Sequence, residues 1–71
     1  MNNTIKPNVG DILLDNKGNY HRVLLFARHS ERQETLIIHE MLTAKSVHAT
    51  PASMMKTSNF TIAIKAEDLN D

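Results

Sequence analysis

The chain has 71 residues, no cysteine, and eight acidic residues against eight basic ones. So short a chain forms one small domain at most and leaves no room for a cofactor-sized cavity inside a single copy. Disulfides and thiolate metal sites are excluded. The balanced charge disfavours a nucleic-acid partner, because non-specific binding to nucleic acid draws on an excess of Lys and Arg.

The hydropathy of the chain gives no membrane signal. No apolar run approaches the roughly 20 residues that cross a bilayer, and residues 1–8 are polar, without the apolar centre of a signal peptide. We therefore expect no membrane partner and a cytoplasmic location.

Five short apolar segments separated by turn residues are typical of β-strands. In chain order the predicted strands are Val9–Leu14, Tyr20–Arg28, Thr35–Leu42, Ser46–Thr50 and Phe60–Lys65. Together they predict one β domain over residues 9–66. Residues 1–8 are predicted to be a flexible arm, and residues 67–71 an acidic, frayed tail.

The first two predicted strands form a hairpin around a turn over residues 15–19. Gly18 permits the positive φ that such a turn needs. The second strand is apolar on both faces in its middle, which predicts a central place in the sheet. Because side chains alternate along a strand, Tyr20 and Arg28 are expected on one face and His21 on the other.

The segment Thr35–Leu42 fits two structures. Ser30 and Gln33 form a capping-box pattern, and the apolar residues after them include some at helical spacing. The β-branched residues of the segment favour a strand, and we prefer it. A Pro at the first position of residues 51–55 predicts a short helical turn there.

This order of elements predicts a mainly β fold, namely a small SH3-like five-stranded barrel with a short helical turn before the last strand. Closing the strands into a barrel would protect the edges of the sheet from pairing with other chains.

Several motifs carry a likeness to one family: Lys17-Gly18-Asn19, Ala27-Arg28-His29-Ser30-Glu31, Glu34 before Leu36-Ile37-Ile38, and Pro51 with Met54. Over residues 9–55 the chain resembles the bacterial and phage domain-of-unknown-function 1653 family. Its members read KGN, then ARHSE, then an acidic residue before a VVY-like strand, then WVRP followed by Met-Phe. The resemblance implies a shared fold and no particular activity.

The second half of the family pattern is altered in this chain. His39 stands where the family has the tyrosine of VVY, His48 and Thr50 stand where it has Trp and Arg, and Met55 replaces Phe. If those family positions line a ligand site, the resemblance implies that this chain binds a different ligand or binds it differently.

The polar run that ends the second predicted strand is the first candidate site. Arg28 offers a planar fork of donors that suits phosphate or carboxylate, and His29 and Ser30 add further donors beside Glu31. In the alternative interpretation, Arg28 pairs with Glu31 or Glu34 and only fixes the loop. Both interpretations stay open.

Lys17 and Tyr20 are candidates for the edge of the same ligand groove, although their segment is first of all a turn. On a straight strand Tyr20 and Arg28 lie about 26 Å apart. They therefore reach one small ligand within one copy only if the strand bends strongly.

Metal and nucleophilic chemistry receive little support. The four histidines, His21, His29, His39 and His48, lack the close spacing of a metal site, so neither a metal nor a cofactor is expected. Adjacent residues on an extended chain point apart, so His29 is poorly placed to act as a base for Ser30. We expect no catalytic residues and no enzyme.

These observations predict a non-enzymatic small binding module that holds an anionic small molecule or a nucleotide through the loop of Arg28, His29 and Ser30. A phage-type protein that sequesters a nucleotide would be a binding module of this kind. Because one chain offers little enclosure, a homo-oligomer is expected. The alternative is a protein-interaction module or an inhibitor of a host factor.

Overall fold

The computed structural model describes residues 3–69, which form one five-stranded antiparallel sheet and two 3-10 helices. The strands are β1 Ile12–Asp15, β2 Tyr20–Arg28, β3 Thr35–Met41, β4 Val47–Pro51 and β5 Phe60–Ile64. The 3-10 helices are Ala52–Met54 and Ala66–Leu69. Across the sheet the strands run in the order β4-β3-β2-β1-β5. Neither described helix is long and apolar enough to cross a membrane.

The predicted mainly β fold is confirmed. β2 has the predicted bounds and a central place, and the ambiguous segment Thr35–Leu42 contains a strand that ends one residue earlier, at Met41. It pairs with β2 on one side and β4 on the other, so two ladders of backbone hydrogen bonds outweigh the capping pattern before it. Within residues 3–69 the sheet stays open between its edges, β4 and β5, so the term barrel applies only loosely.

The predicted N-terminal arm makes contacts with the domain over the residues described. The Ile5 N–H donates to the Met55 carbonyl at 2.7 Å, and the Thr57 N–H donates to the Asn3 carbonyl at 2.8 Å. Pro7 is buried. Residues 3–5 thus run alongside residues 55–57 as an added length of backbone pairing.

A buried carboxylate joins the two ends of the described chain. The Asp11 side chain, 2% exposed, accepts the Asn8 N–H at 2.8 Å and the Ala66 N–H at 2.7 Å. Residues 66–69 form a 3-10 helix that includes the start of the predicted tail. Residues 1, 2, 70 and 71 of the predicted arm and tail lie outside the described residues.

The core is small and lies on one face of the sheet. Its fully buried members come from β1, β2, β3 and the segment after the first 3-10 helix: Leu13, Val23, Ile37 and Met55. Half-buried apolar residues close around them, namely Ile5, Ala52, Phe60 and Ile62. Burial of this cluster supplies the main favourable term in folding.

A bulge in β2 changes which side chains share a face. Val23 and Leu25 pair with consecutive residues of β3, so β2 carries one extra residue between them. An extra residue reverses the alternation of side chains beyond it. Arg28 therefore lies on the same face as His21, and Tyr20 lies on the opposite face. The prediction that Tyr20 and Arg28 share a face is wrong for this reason.

Gly10 is the glycine at which substitution should cost most. Its φ is +92°, and an added Cβ would lie 3.1 Å from the Cβ of Ala66. We expect Gly10→Ala to lower the free energy of unfolding, measured by urea titration, by more than the roughly 1–2 kcal/mol set by the left-handed backbone alone. Gly18→Ala is the matched control, because Gly18 has φ +87° with open space around it. An equal loss in both variants would contradict a role for the contact with Ala66.

Candidate functional site

A surface cleft of about 410 Å³ lies between the β1–β2 turn and the edge strand β4. We call it the histidine cleft. Its lining residues are Asp15, Asn16, Lys17, Asn19, His21, His39, Met41, His48, Ala49, Thr50, Asn59 and Phe60. Its volume and its few convergent polar groups are typical of a small-molecule site.

Four of the lining side chains form an unbroken line of hydrogen bonds, which we call the histidine relay. Asp15 Oδ2 lies 2.8 Å from His21 Nε2, and the Nδ1 atoms of His21 and His39 lie 3.0 Å apart. His39 Nε2 lies 2.8 Å from Thr50 Oγ1. His21 is 3% exposed and His39 is 2% exposed, so the middle of the relay is shut off from water.

The β1–β2 turn positions the inner end of the relay. Asp15 ends β1, and its Oδ1 accepts the backbone N–H groups of Lys17 at 2.9 Å and Asn19 at 2.8 Å. A side chain that bonds its own turn in this way is held in one orientation. Asp15 Oδ2 is therefore fixed toward His21.

Strand register positions the rest of the relay. Val23 pairs with His39 across β2 and β3, and His39 pairs with His48 across β3 and β4. Since residues two apart on a strand share a face, His21 and Thr50 flank His39 diagonally from either side. The relay therefore crosses four neighbouring strands, from β1 through β2 and β3 to β4.

The ionisation of the relay is set by its surroundings. Burial raises the pKa of Asp15, but hydrogen bonds from His21 and from the backbone of Asn19 and Lys17 outweigh it and hold that pKa well below its usual range. Burial, aided by the charges of His21 and His48, lowers the pKa of His39 to about 4. At neutral pH, Asp15 is a carboxylate and His39 carries one N–H.

Two proton arrangements satisfy the relay. Ionised Asp15 only accepts, so His21 donates to it through Nε2. With His21 neutral, His39 donates from Nδ1 to His21, and Thr50 donates its hydroxyl proton to His39 Nε2. With His21 doubly protonated, it donates to His39, whose Nε2–H then donates to Thr50. One added proton thus reverses the direction in which Thr50 bonds.

Aromatic rings form the wall of the cleft. Phe60 packs edge-on against His21 and His39, with ring centroids 5.5 Å from each. His48 stacks on His39 at 5.7 Å with an interplanar angle of 22°. The His48 side chain is exposed and its Nε2 lies 2.8 Å from Ser46 Oγ. The exposed ring of His48 offers a surface on which a planar group can stack.

The charge at the rim of the cleft is positive. The Asp15 side chain is 13% exposed and is engaged by hydrogen bonds with His21 and with the backbone of the turn. Lys17 is exposed at the rim, and Asp15 is the other formally charged lining residue. The accessible charge of the cleft is therefore that of an ammonium group.

Residues 3–69 contain no group of three His, Cys, Asp or Glu side chains placed to hold a metal ion. The two facing Nδ1 atoms stand at a hydrogen-bond separation, and their rings are each tied at the other nitrogen. The arrangement suits proton sharing, and we assign no metal or cofactor to it.

The structure brings only one of the six sequence-predicted site residues to the cleft. Lys17 lines it, whereas Tyr20, 47% exposed, projects from the other face of β2. The remaining four predicted residues lie at the far end of β2: Arg28, His29, Ser30 and Glu31.

The loop after β2 is ordered by local bonds. The His29 N–H donates to the Glu34 carbonyl at 2.9 Å, and the His29 ring accepts the Glu31 N–H at 3.1 Å. Within residues 3–69, Arg28 forms no ion pair with Glu31 or Glu34, and its side chain is exposed. The ion pair of the alternative interpretation is absent there, so neither Glu31 nor Glu34 engages the donors of the Arg28 guanidinium.

Sequence reasoning missed the relay because its members are distant in the chain. Asp15 stood out only as a turn residue, and the histidines lacked metal spacing. The available signal was the predicted departure from the family pattern at His39, His48 and Thr50. These three residues line one cleft.

No family model matches the chain, and neither a curated protein nor a solved structure matches it. The resemblance to the domain-of-unknown-function 1653 family therefore stays a prediction, and the site must be interpreted from its own geometry.

Proposed function

We propose that this chain is a non-enzymatic binding module that holds an anionic small molecule of nucleotide type in the histidine cleft. The observation that carries the proposal is the cleft itself, which combines an exposed cation with an exposed aromatic ring in a volume of about 410 Å³. Binding without turnover would sequester the ligand, and a cytoplasmic location belongs to this proposal.

Each part of such a ligand has a counterpart in the cleft. The Lys17 ammonium favours a phosphate or carboxylate group, because charged hydrogen bonds are the strong ones. The face of His48 favours a planar base by stacking. The side-chain amides of Asn16 and Asn59 line the cleft and each donates through Nδ2 to a backbone carbonyl, which leaves their Oδ1 atoms as acceptors of the kind that read base edges.

The test is isothermal titration of the protein with a panel of nucleotides and with inorganic phosphate. We expect a nucleotide to bind, and Lys17→Ala to weaken its binding about tenfold, which corresponds to roughly 1.4 kcal/mol. Lys65→Ala is the matched control, since Lys65 is an exposed lysine outside the cleft.

Two results would count against this site. Absence of binding by every nucleotide at millimolar concentration would remove the proposed function. Loss of binding in Arg28→Ala, with full binding in Lys17→Ala, would move the site to the loop after β2 that the sequence predicts.

A second cavity favours the alternative, a protein-interaction module. A groove of about 390 Å³ lies beside the N-terminal segment and is lined mainly by apolar side chains, among them Ile5, Phe26 and Ile37. Phe26 is 46% exposed there. A contiguous exposed apolar surface, unlike single exposed side chains, is typical of a contact surface.

We expect a second copy of the chain to cover this groove, in keeping with the predicted homo-oligomer. Sedimentation velocity should show concentration-dependent association that Phe26→Ser abolishes. Val47→Ser, at an exposed valine of β4 outside the groove, is the control. A monomer at all concentrations would contradict self-association through this surface.

A further inference from the structure

Thr50 stands at the outer end of the histidine relay and lines the histidine cleft. Its Oγ1 lies 2.8 Å from His39 Nε2. A hydroxyl within hydrogen-bond reach of an imidazole, itself oriented by a further group, is the arrangement in which a weak oxygen nucleophile is activated. The third group here is His21, whose Nδ1 lies 3.0 Å from His39 Nδ1.

His39 alone would be a weak base, because burial holds its pKa at about 4. The geometry removes the need for His39 to become charged. As Nε2 takes the proton of Thr50, the proton on Nδ1 moves to the facing nitrogen of His21. The positive charge then rests on His21, whose Nε2–H faces the Asp15 carboxylate at 2.8 Å.

We propose that Thr50 is a nucleophile that the histidine relay activates, and that it accepts an acyl group from an activated ester in the histidine cleft. The Oγ1–H bond of Thr50 breaks and a bond forms from Oγ1 to the acyl carbon. The ester C–O bond breaks, and the leaving alcohol or phenol keeps its electron pair. The proton of Thr50 enters the relay, which returns one proton to the leaving oxygen or to solvent.

The step is a single covalent transfer without oxidation or reduction, and it produces an acylated Thr50. It uses the same cleft as the proposed function but does not require that an anion binds there. Thr50 is the residue that touches the ester, and His39 is the base that takes its proton, whereas His21 and Asp15 are positioning residues that act through His39.

Two other groups near the ester must be separated from Thr50. His48 precedes Thr50 by two residues on β4 and is exposed, and Lys17 lies at the rim. Either side chain can react with an activated ester by itself. The readout must therefore locate the acyl group and not only count the released phenol.

The experiment treats the full chain with 4-nitrophenyl acetate and maps the acetyl group by peptide mass spectrometry across a range of pH. We expect acetylation at Thr50, its loss in Thr50→Val and its retention in Thr50→Ser. Asp15→Asn should slow acetylation of Thr50 about 100-fold and change its pH profile, because an amide does not stabilise the positive charge on His21 and general-base catalysis contributes about 10²–10⁴-fold. Thr61→Val, at an exposed threonine of β5, should leave the rate unchanged.

Acetyl groups found only on His48, on lysines or on the amino terminus would overturn the proposal. Equal rates of Thr50 acetylation in the wild-type chain and in Asp15→Asn would also overturn it, because the relay would then not activate the Thr50 hydroxyl. Thr50→Ser is the control for a folding defect in Thr50→Val, because serine keeps the hydroxyl that bonds to His39. Nucleotide titration of Thr50→Val tests the proposed function separately. Nucleotide binding that persists in this variant would leave the proposed function standing even if Thr50 is not acetylated.

Discussion

Replacing Met55 by alanine is expected to lower the free energy of unfolding by about 2–5 kcal/mol, the range seen when a large buried side chain is truncated in a core. Met55 is 0% exposed and packs with Leu13, Val23 and Ile37 in the one buried cluster of the described residues. A small domain has a total stability of roughly 5–15 kcal/mol. This single change therefore removes a large share of it.

The neighbouring methionine supplies the matched control. Met54 is 48% exposed, so Met54→Ala is expected to stay within about 0.5 kcal/mol of the wild-type stability. Met55→Leu keeps most of the volume and should cost less than about 1.5 kcal/mol. Urea titrations of the three variants measure the differences. Equal losses for Met54→Ala and Met55→Ala would show that Met55 does not anchor the core.

Local sequence features predicted most of the sheet because they act over short distances. Gly18 in a cluster of turn residues fixed the β1–β2 turn, and its φ of +87° is the conformation that such a turn requires. The β-branched residues of the predicted segment Thr35–Leu42 decided its preference for a strand. Pro51 predicted a helical turn, and it is the N-cap of the first 3-10 helix.

The bulge in β2 is a feature that the sequence pattern could not reveal. It depends on how β2 pairs with β3, which is a contact between segments that the chain order does not specify. Simple alternation placed Tyr20 and Arg28 together, and the extra residue between Val23 and Leu25 separates them. An error of one residue in register is enough to move a side chain to the other face.

The candidate site was less predictable than the fold for the same reason. Polar side chains in a contiguous run, such as those from Arg28 to Glu31, attract attention because they are neighbours in the sequence. The histidine relay joins Asp15 to Thr50 through residues on four strands, and only the register places them in line. Lys17 was predicted as a site residue because it lies in the conspicuous turn after β1, and that turn also lines the cleft.

The histidine relay is expected to make the protein sensitive to acid. Burial, with the charges of His21 and His48, lowers the pKa of His39 from 6.5 to about 4 in the folded state. Between these values the unfolded chain binds a proton at His39 that the folded chain does not, so stability falls as the pH drops from about 6.5 toward 4. The full shift corresponds to about 3 kcal/mol.

A second loss follows at lower pH. The folded Asp15 has a pKa below its usual value of 3.8, so its ionised form contributes stability that is present above that pH. That contribution disappears as the pH falls below about 3.8, because the unfolded chain takes up the proton first. Both groups lower the free energy of unfolding as the pH falls. His39 does so between about pH 6.5 and 4, and Asp15 does so below about pH 3.8.

Urea titrations at a series of pH values from 7 down to 4 measure this slope. His39→Gln should lower the stability at neutral pH, because it breaks the relay, but it should flatten the pH dependence in the window of His39. His29→Gln is the matched control, since it removes a histidine of the loop after β2 that lies outside the cleft. If His39→Gln kept the wild-type slope and His29→Gln lost it, the acid sensitivity would belong to the loop, and the buried imidazole of the relay would not be its source.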